Sequence, residues 1–335
     1  MLAGFGLTTF RFGIEWARIE PAEGEFSRAS LDHYRRVLEA CREHGVTPIV
    51  TFHHFTLPLW LHSMGGFTSD RFVQLFERFC DRSAAALGNL IGYACTINEP
   101  QGLGQSGYLL AINPPGHTDD RDGARKTTEH LLEAHRAGAV AIRSHTRAPV
   151  GVCLALPDIQ YEDGAQPGTT SLELESGIND QFLELARKDD FIGVQTYTRN
   201  RIGADGTLRP EPGVETTQMG YEFWPEALEA NIRQASAVAK VPVIVTENGI
   251  GTDKDDRRIE YVRRALNGVA RCIRDGIDVR GYCYWSSLDN YEWNSGYRPT
   301  FGLIAVDRAT QARTIKPSAT WLGNIARANS MDITD

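Results

Sequence analysis

Two glutamates stand where this sequence could do chemistry. Glu99 closes the run IGYACTINEP, directly before Pro100, and Glu247 closes VPVIVTENG, directly before Asn248-Gly249. Each sits where an apolar, strand-like run breaks into a loop. Paired carboxyl groups suit cleavage of a glycosidic bond: one protonates the departing oxygen, and the other stabilises or traps the oxocarbenium-like centre. A separation of about 5 Å makes the second group a nucleophile and retains configuration, whereas about 6.5–9.5 Å admits a water and inverts it. Spacing along the chain does not set that distance. Taken alone, either glutamate reads more readily as a loop carboxylate or a local cap, and Asn-Gly is a common turn. Two of them at equivalent strand ends, among tryptophans and asparagine, favour the chemical reading.

Aromatic residues add to it. Trp285, Tyr291, Trp293 and Tyr297 crowd one strand end and the loop after it, beside Asp289, Glu292 and Asn294. Aromatic faces pack on the C–H face of a sugar while the polar groups take its hydroxyls; a packed cluster that merely holds the loop is the alternative. His53-His54 follows another run. No H-x-H or H-E-x-x-H spacing accompanies it, so a hydroxyl hydrogen bond or a structural role is expected rather than a metal ligand.

The elements that must position these groups alternate along the chain. Apolar runs at Thr9–Ile14, Thr47–Phe52, Ile91–Ile97, Pro149–Leu156, Phe191–Tyr197, Val241–Thr246 and Asp278–Trp285 read as strands of a parallel sheet buried on both faces. Helical patterns fill the gaps. In the first, Leu31, Tyr34, Leu38 and Cys41 share one face, with Ser30 as the expected N-cap and Gly45 as the stop. Others are expected near Asp70–Leu87, Ala124–Ser144, Leu172–Lys188, Pro225–Lys240, Arg257–Asp275 and Lys316–Ala328. Such βα alternation leaves a (β/α)8 barrel or an open doubly wound sheet. No Gly-x-Gly-x-x-Gly follows a strand, and polar or aromatic clusters follow many strands: Trp16 and Arg18, His53-His54, Asn98-Glu99, Tyr197, Glu247-Asn248, and Trp285 through Trp293. That distribution suits an α/β fold of the (β/α)8 TIM-barrel class, in one catalytic domain over residues 1–335, with seven βα units visible and the first strand missing.

Composition narrows the classes. The 335 residues are 41% hydrophobic and 23% charged, enough apolar surface for a core, with a net charge of −8. The absence of a Lys/Arg-rich run argues against a nucleic-acid partner. No stretch reaches about 18 uninterrupted apolar residues, so no membrane span is expected. The N-terminal residues show no secretory signal pattern. Six cysteines without a C-x-x-C pair read as reduced thiols of a cytoplasmic protein, with no zinc site.

Together the motifs resemble glycoside hydrolase family 1, the β-glucosidase family. FRFGIEWARIEP resembles its second-strand signature, and TFHHFTLPLWL its third-strand His-Trp-Asp-Leu-Pro segment. TINEP and VTENG resemble its two catalytic motifs, and YWSSLDNYEWNSGYRPTFGLIAVD its eighth-strand segment. The similarity runs from about Gly6 to about Ala328. The resemblance implies a retaining β-glycosidase, with glucosides and cello-oligosaccharides ahead of galactosides or fucosides, and no cofactor or metal. It implies Glu99 as the acid/base and Glu247 as the nucleophile. Asn98 would meet the sugar 2-hydroxyl, and Arg11 and Tyr197 would hydrogen-bond the nucleophile. His54 would bind a glycone hydroxyl, Trp285 would stack on the sugar, and Glu292 and Trp293 would read its 4- and 6-hydroxyls.

Departures from the family pattern generate further expectations. The family's first strand and its sugar-binding glutamine have no counterpart here, and Met1–Gly6 reads as the tail of the first helix. An open seven-strand sheet would expose two edges, so lowered stability or self-association into a homo-oligomer is expected. A non-catalytic, sugar-binding relic is the rival from another class; a metal-dependent barrel hydrolase is a second. Phe55-Thr56 stand where the family often has Trp-Asp, and Gln195-Thr196 where it often has Asn-Tyr. The Asp158–Glu173 segment is short for a family loop.

Overall fold

The computed structural model describes residues 1–165 and 171–331. Seven parallel strands form one sheet in the order β1 (Thr9–Gly13), β2 (Thr47–His53), β3 (Tyr93–Asn98), β4 (Val150–Ala155), β5 (Phe191–Gln195), β6 (Val243–Asn248) and β7 (Val279–Tyr284). Spatial order equals chain order, with a helix on each crossover, α1 (Arg28–Glu43), α2 (Phe72–Leu87), α3 (Arg121–Arg143), α4 (Ser171–Leu185), α5 (Ala227–Ala239) and α6 (Asp255–Arg274), and with α7 (Pro317–Ala328) after the last strand. This is the (β/α)8-barrel topology with seven strands among the described residues.

The chain divides into two compact units. One comprises Thr9–Ala155 and Gly177–Gly193; the other comprises Met1–Thr8, Leu156–Ser176 and Val194–Asp335. In the first unit, β1 and β2 pair in register from Thr9↔Thr47 to Gly13↔Thr51. Its core is aromatic: Trp16 stacks on Phe79 at 4.9 Å between centroids, and Phe76 and Phe72 extend the cluster. In the second unit, Phe223, Ile250, Tyr261, Val262, Leu303, Ala319 and Leu322 form one core cluster, against which Phe5 and Leu7 pack. The expected N-terminal helix tail is the short helix Leu2–Phe5, and Gly323 on α7 admits it: a Cβ there would lie 2.1 Å from the Phe5 carbonyl oxygen.

Several expectations need correction. The α1 cap is Ser27, whose Oγ accepts from the Ser30 amide at 3.2 Å, so Ser30 is the capped residue rather than the cap. The chain does leave α1 at Gly45, with φ +69. The first and last strands are only half-buried, not buried throughout. They end the strand order, and each has one hydrogen-bonded neighbour among the described residues. The three-stranded sheet of Asp158–Tyr161, Arg199–Gly203 and Gly206–Thr207 and the hairpin of Ile304–Val306 with Arg313–Ile315 carry no signal in the hydrophobic pattern. Of the Asp158–Glu173 segment, expected to be short for the family, residues 166–170 lie outside the described residues.

Candidate active site

In the first unit, β3 ends at Asn98 and the chain turns sharply at Glu99, with φ +47, into the helical turn Pro100–Gly104. A left-handed glutamate costs on the order of 1–3 kcal/mol and persists only where neighbours hold it. They do so here: the Glu99 amide donates to the Cys153 carbonyl at 2.8 Å, and Gln101 Nε2 donates to the Ala155 carbonyl at 2.7 Å.

Asn98 is fully buried and bonded at both ends. The Arg11 guanidinium donates to its Oδ1, and its Nδ2 lies 3.1 Å from His54 Nε2. Because Arg11 can only donate, the Asn98 oxygen faces Arg11 and the amide N–H₂ faces His54. His54 Nε2 must then accept, which makes the ring neutral with its proton on Nδ1. Burial, with the Arg11 and His53 charges adding, holds His54 well below the ordinary histidine range. Arg11, His54 and Asn98 thus form one chain of contacts beside Glu99. His53 is separate. It is buried edge-on to Phe67 and Phe76 at 5.7 and 6.2 Å, and burial lowers its pKa to about 4.

In the second unit, Glu247 is the penultimate residue of β6 and only 4% exposed. The Tyr197 hydroxyl, two residues beyond β5, donates to Glu247 Oε2. Trp285 follows β7, and its backbone N–H donates to the Asn248 carbonyl at 2.9 Å. Its indole Nε1 donates to Glu292 Oε2 at 3.2 Å, as does Asn290 Nδ2. Burial pushes the Glu292 carboxyl up, the Trp285 and Asn290 donors oppose it, and the negative charge of Glu247 pushes the same way as burial. Tyr197, Glu247, Trp285 and Glu292 are therefore brought together. Trp293 follows Glu292 and is 38% exposed. Tyr291 and Tyr297 meet edge-on at 5.1 Å, with Arg308 over the Tyr297 ring at 4.1 Å. Among the described residues, no group of three His, Cys, Asp or Glu is arranged to hold a metal ion.

Some residues grouped with the site in the sequence are structural. Trp16 is core, and its Nε1 donates to Glu20. Asp289 accepts from Lys316 Nζ at 2.9 Å and from the Gly302 amide at 2.8 Å, which commits it to holding the loop rather than to a ligand hydroxyl. Gln195 is fully buried and its Oε1 accepts from Thr246 Oγ1 at 3.1 Å, directed at the neighbouring strand. Thr56, in place of the family's aspartate, donates to the Glu15 carboxylate. Sequence reasoning missed Tyr261 and Tyr282, which surround Asn248. Tyr261 occupies the apolar face of a helix and reads there as core alone.

The sequence model of glycosyl hydrolase family 1 matches residues 1–185 and 174–331. The chain belongs to this family. It is a glycoside hydrolase. A beta-glucosidase of Agrobacterium sp. is 30% identical over 376 residues, covering 97% of this chain and 82% of that protein. A beta-galactosidase of Sulfolobus acidocaldarius is 28% identical, covering 97% of this chain and 82% of its own length. Among solved structures, the beta-glycosidase BGL167 superposes with a TM-score of 0.89 at 47% identity, covering 100% of this chain and 85% of that one. The family-1 assignment and the seven-strand parallel sheet agree on fold class.

Proposed function

We propose that this family-1 hydrolase removes terminal β-D-glucosyl residues from small β-glucosides or cello-oligosaccharides with retention, residues 1–335 acting as a single catalytic domain. The observation that carries this reading is the Tyr197 hydroxyl bound to the buried Glu247 carboxylate, with Glu292 and Trp285 alongside. A phenol donor fixes the plane of a carboxylate, as an oriented nucleophile requires. Glu247 attacks the anomeric carbon while Glu99 protonates the departing oxygen. Glu99 then takes a proton from water, which opens the glycosyl ester and frees Glu247. Asn98 meets the 2-hydroxyl, His54 a glycone hydroxyl, and Arg11 orients Asn98. Trp285 stacks on the sugar, and Glu292 and Trp293 read the 4- and 6-hydroxyls. The anionic Glu292 favours a neutral glycone over a 6-phosphate. The names of the relatives support both glucosidase and galactosidase chemistry; the glucoside is the first choice. The thiol state of all six cysteines supports a reducing, cytoplasmic setting.

The test is hydrolysis of 4-nitrophenyl β-glucoside. Wild type is expected to turn over, and Glu247→Ala to be inactive until azide is added, releasing α-glucosyl azide. Glu99→Ala should lose most activity on poor leaving groups and be rescued by azide with the β-azide. A folded wild-type chain that binds glucosides, galactosides and fucosides without cleaving any would overturn the proposal in favour of a binding role.

A further inference from the structure

The end of β5 is tied by buried side chains to β6, which carries Asn248, and to α6, which carries Tyr261. Thr196 and Tyr197 follow Gln195, the last residue of β5. The Thr196 carbonyl accepts from Asn248 Nδ2 at 2.6 Å. The Tyr197 carbonyl accepts from the Tyr261 hydroxyl at 2.7 Å, and that hydroxyl lies 3.3 Å from Asn248 Nδ2. Asn248 Oδ1 accepts from the Tyr282 hydroxyl at 2.7 Å. Asn248 is completely buried and Tyr261 is 1% exposed. Burial keeps both phenols protonated far above neutral pH, so both remain donors.

These contacts close a ring. It runs from Glu247 through the Tyr197 hydroxyl and ring to the Tyr197 carbonyl, across the Tyr261 hydroxyl to Asn248, and back along the backbone to Glu247. The Phe301 edge meets the Tyr197 ring at 6.1 Å and 81°, which limits its rotation. The orientation of the Asn248 amide is set by the Tyr282 phenol, which donates to its oxygen, and by the Thr196 carbonyl and the Tyr261 hydroxyl oxygen, which accept from its nitrogen. We infer that Tyr261 and Asn248 are positioning residues for catalysis: through the Tyr197 backbone they set where the Tyr197 hydroxyl meets Glu247. The inference rests on Glu247 being the nucleophile. Losing the Tyr261 hydroxyl leaves the Tyr197 carbonyl without this donor, and the Tyr197 ring shifts relative to the carboxylate.

The experiment is a double-mutant cycle on 4-nitrophenyl β-glucoside with the full chain, measuring kcat and KM separately. Misplacement by a fraction of an ångström predicts a fall in kcat of about tenfold for Tyr261→Phe, with KM changed less than about twofold. Tyr197→Phe should lower kcat at least as much, and the double variant should be no slower than Tyr197→Phe, because the ring is already open. Multiplying losses, or a KM-only effect, would overturn the inference and leave Tyr261 as packing. If Tyr261→Phe does not fold, Tyr282→Phe, which releases the Asn248 amide from the other side, must show the same non-additivity with Tyr197→Phe. Glu247→Ala with azide separates the two claims. No loss in that variant sinks the nucleophile assignment itself, whereas azide rescue alongside additive tyrosine effects sinks only the positioning role.

Discussion

Asn98 carries its amide in one orientation because its two neighbours read opposite ends of it, whereas Glu292 is fixed through a single oxygen. Trp285 Nε1 and Asn290 Nδ2 both donate to Glu292 Oε2, so the carboxylate is held while its charge stays near Glu247. Glu292→Gln keeps an acceptor for both donors and removes the charge. Hydrogen bonds to a charged partner are worth about 1.5–3 kcal/mol, so kcat/KM for the glucoside is expected to fall about 10- to 100-fold with the melting temperature nearly unchanged. Steady-state kinetics beside a thermal melt would check both halves of that expectation. A large drop in melting temperature would mean that Glu292 holds the loop and not the sugar.

At the scale of elements, the decisive contacts are close backbone approaches and buried polar ties. A Cβ on Gly249 would lie 2.0 Å from the Trp285 carbonyl oxygen, so only glycine lets the loop after β6 pass the end of β7. Gly249→Ala must push Trp285 aside, costing about 1–3 kcal/mol as overpacking does, with a further loss of glucoside turnover. Chemical denaturation together with the assay would register both. In the other unit, His135 on α3 ties β3 to the chain before β5: its Nδ1 lies 2.7 Å from Thr96 Oγ1 and its Nε2 3.1 Å from Asp189 Oδ1. All three are buried. His135→Ala strands the buried Asp189 Oδ1 and leaves Thr96 Oγ1 only its 3.4 Å bond to the Gly151 carbonyl, and a loss of about 1–3 kcal/mol in unfolding free energy is expected from urea titration.

For the whole molecule, His53 and His54 contribute to the pH dependence of stability. Folding holds His53 near pKa 4 and His54 well below the ordinary 6.5. The unfolded chain therefore binds protons that the folded chain refuses, and stability falls as pH descends from about 6.5 toward about 4. For His53, 1.36 kcal/mol per pKa unit makes the loss on the order of 3 kcal/mol by pH 4. His53→Phe, in an already aromatic setting, should flatten the decline of melting temperature between pH 7 and pH 4.5. An unaltered slope would remove His53 as its source. No helix among the described residues is long and apolar enough to cross a membrane.

The linear chain already determined the βα rhythm, because strands buried on both faces must be apolar throughout and the crossovers must carry one apolar stripe. It also carried Glu99 and Glu247, whose motifs abut a proline and an Asn-Gly. Residue type and local pattern did not separate site from core; only the family resemblance singled out His54 over His53 and Glu292 over Asp289. His53 and His54 are adjacent, yet a strand turns successive side chains to opposite faces, and only the fold shows that one meets phenylalanines and the other Asn98. Asp289 and Glu292 lie in one loop, and only the fold binds the first to Lys316 and the second to Trp285. Tyr261 is an apolar-face residue by periodicity. Its hydroxyl meets the Tyr197 carbonyl, 64 positions away, through packing that no local pattern encodes, because hydrogen-bond partners are chosen by proximity in space.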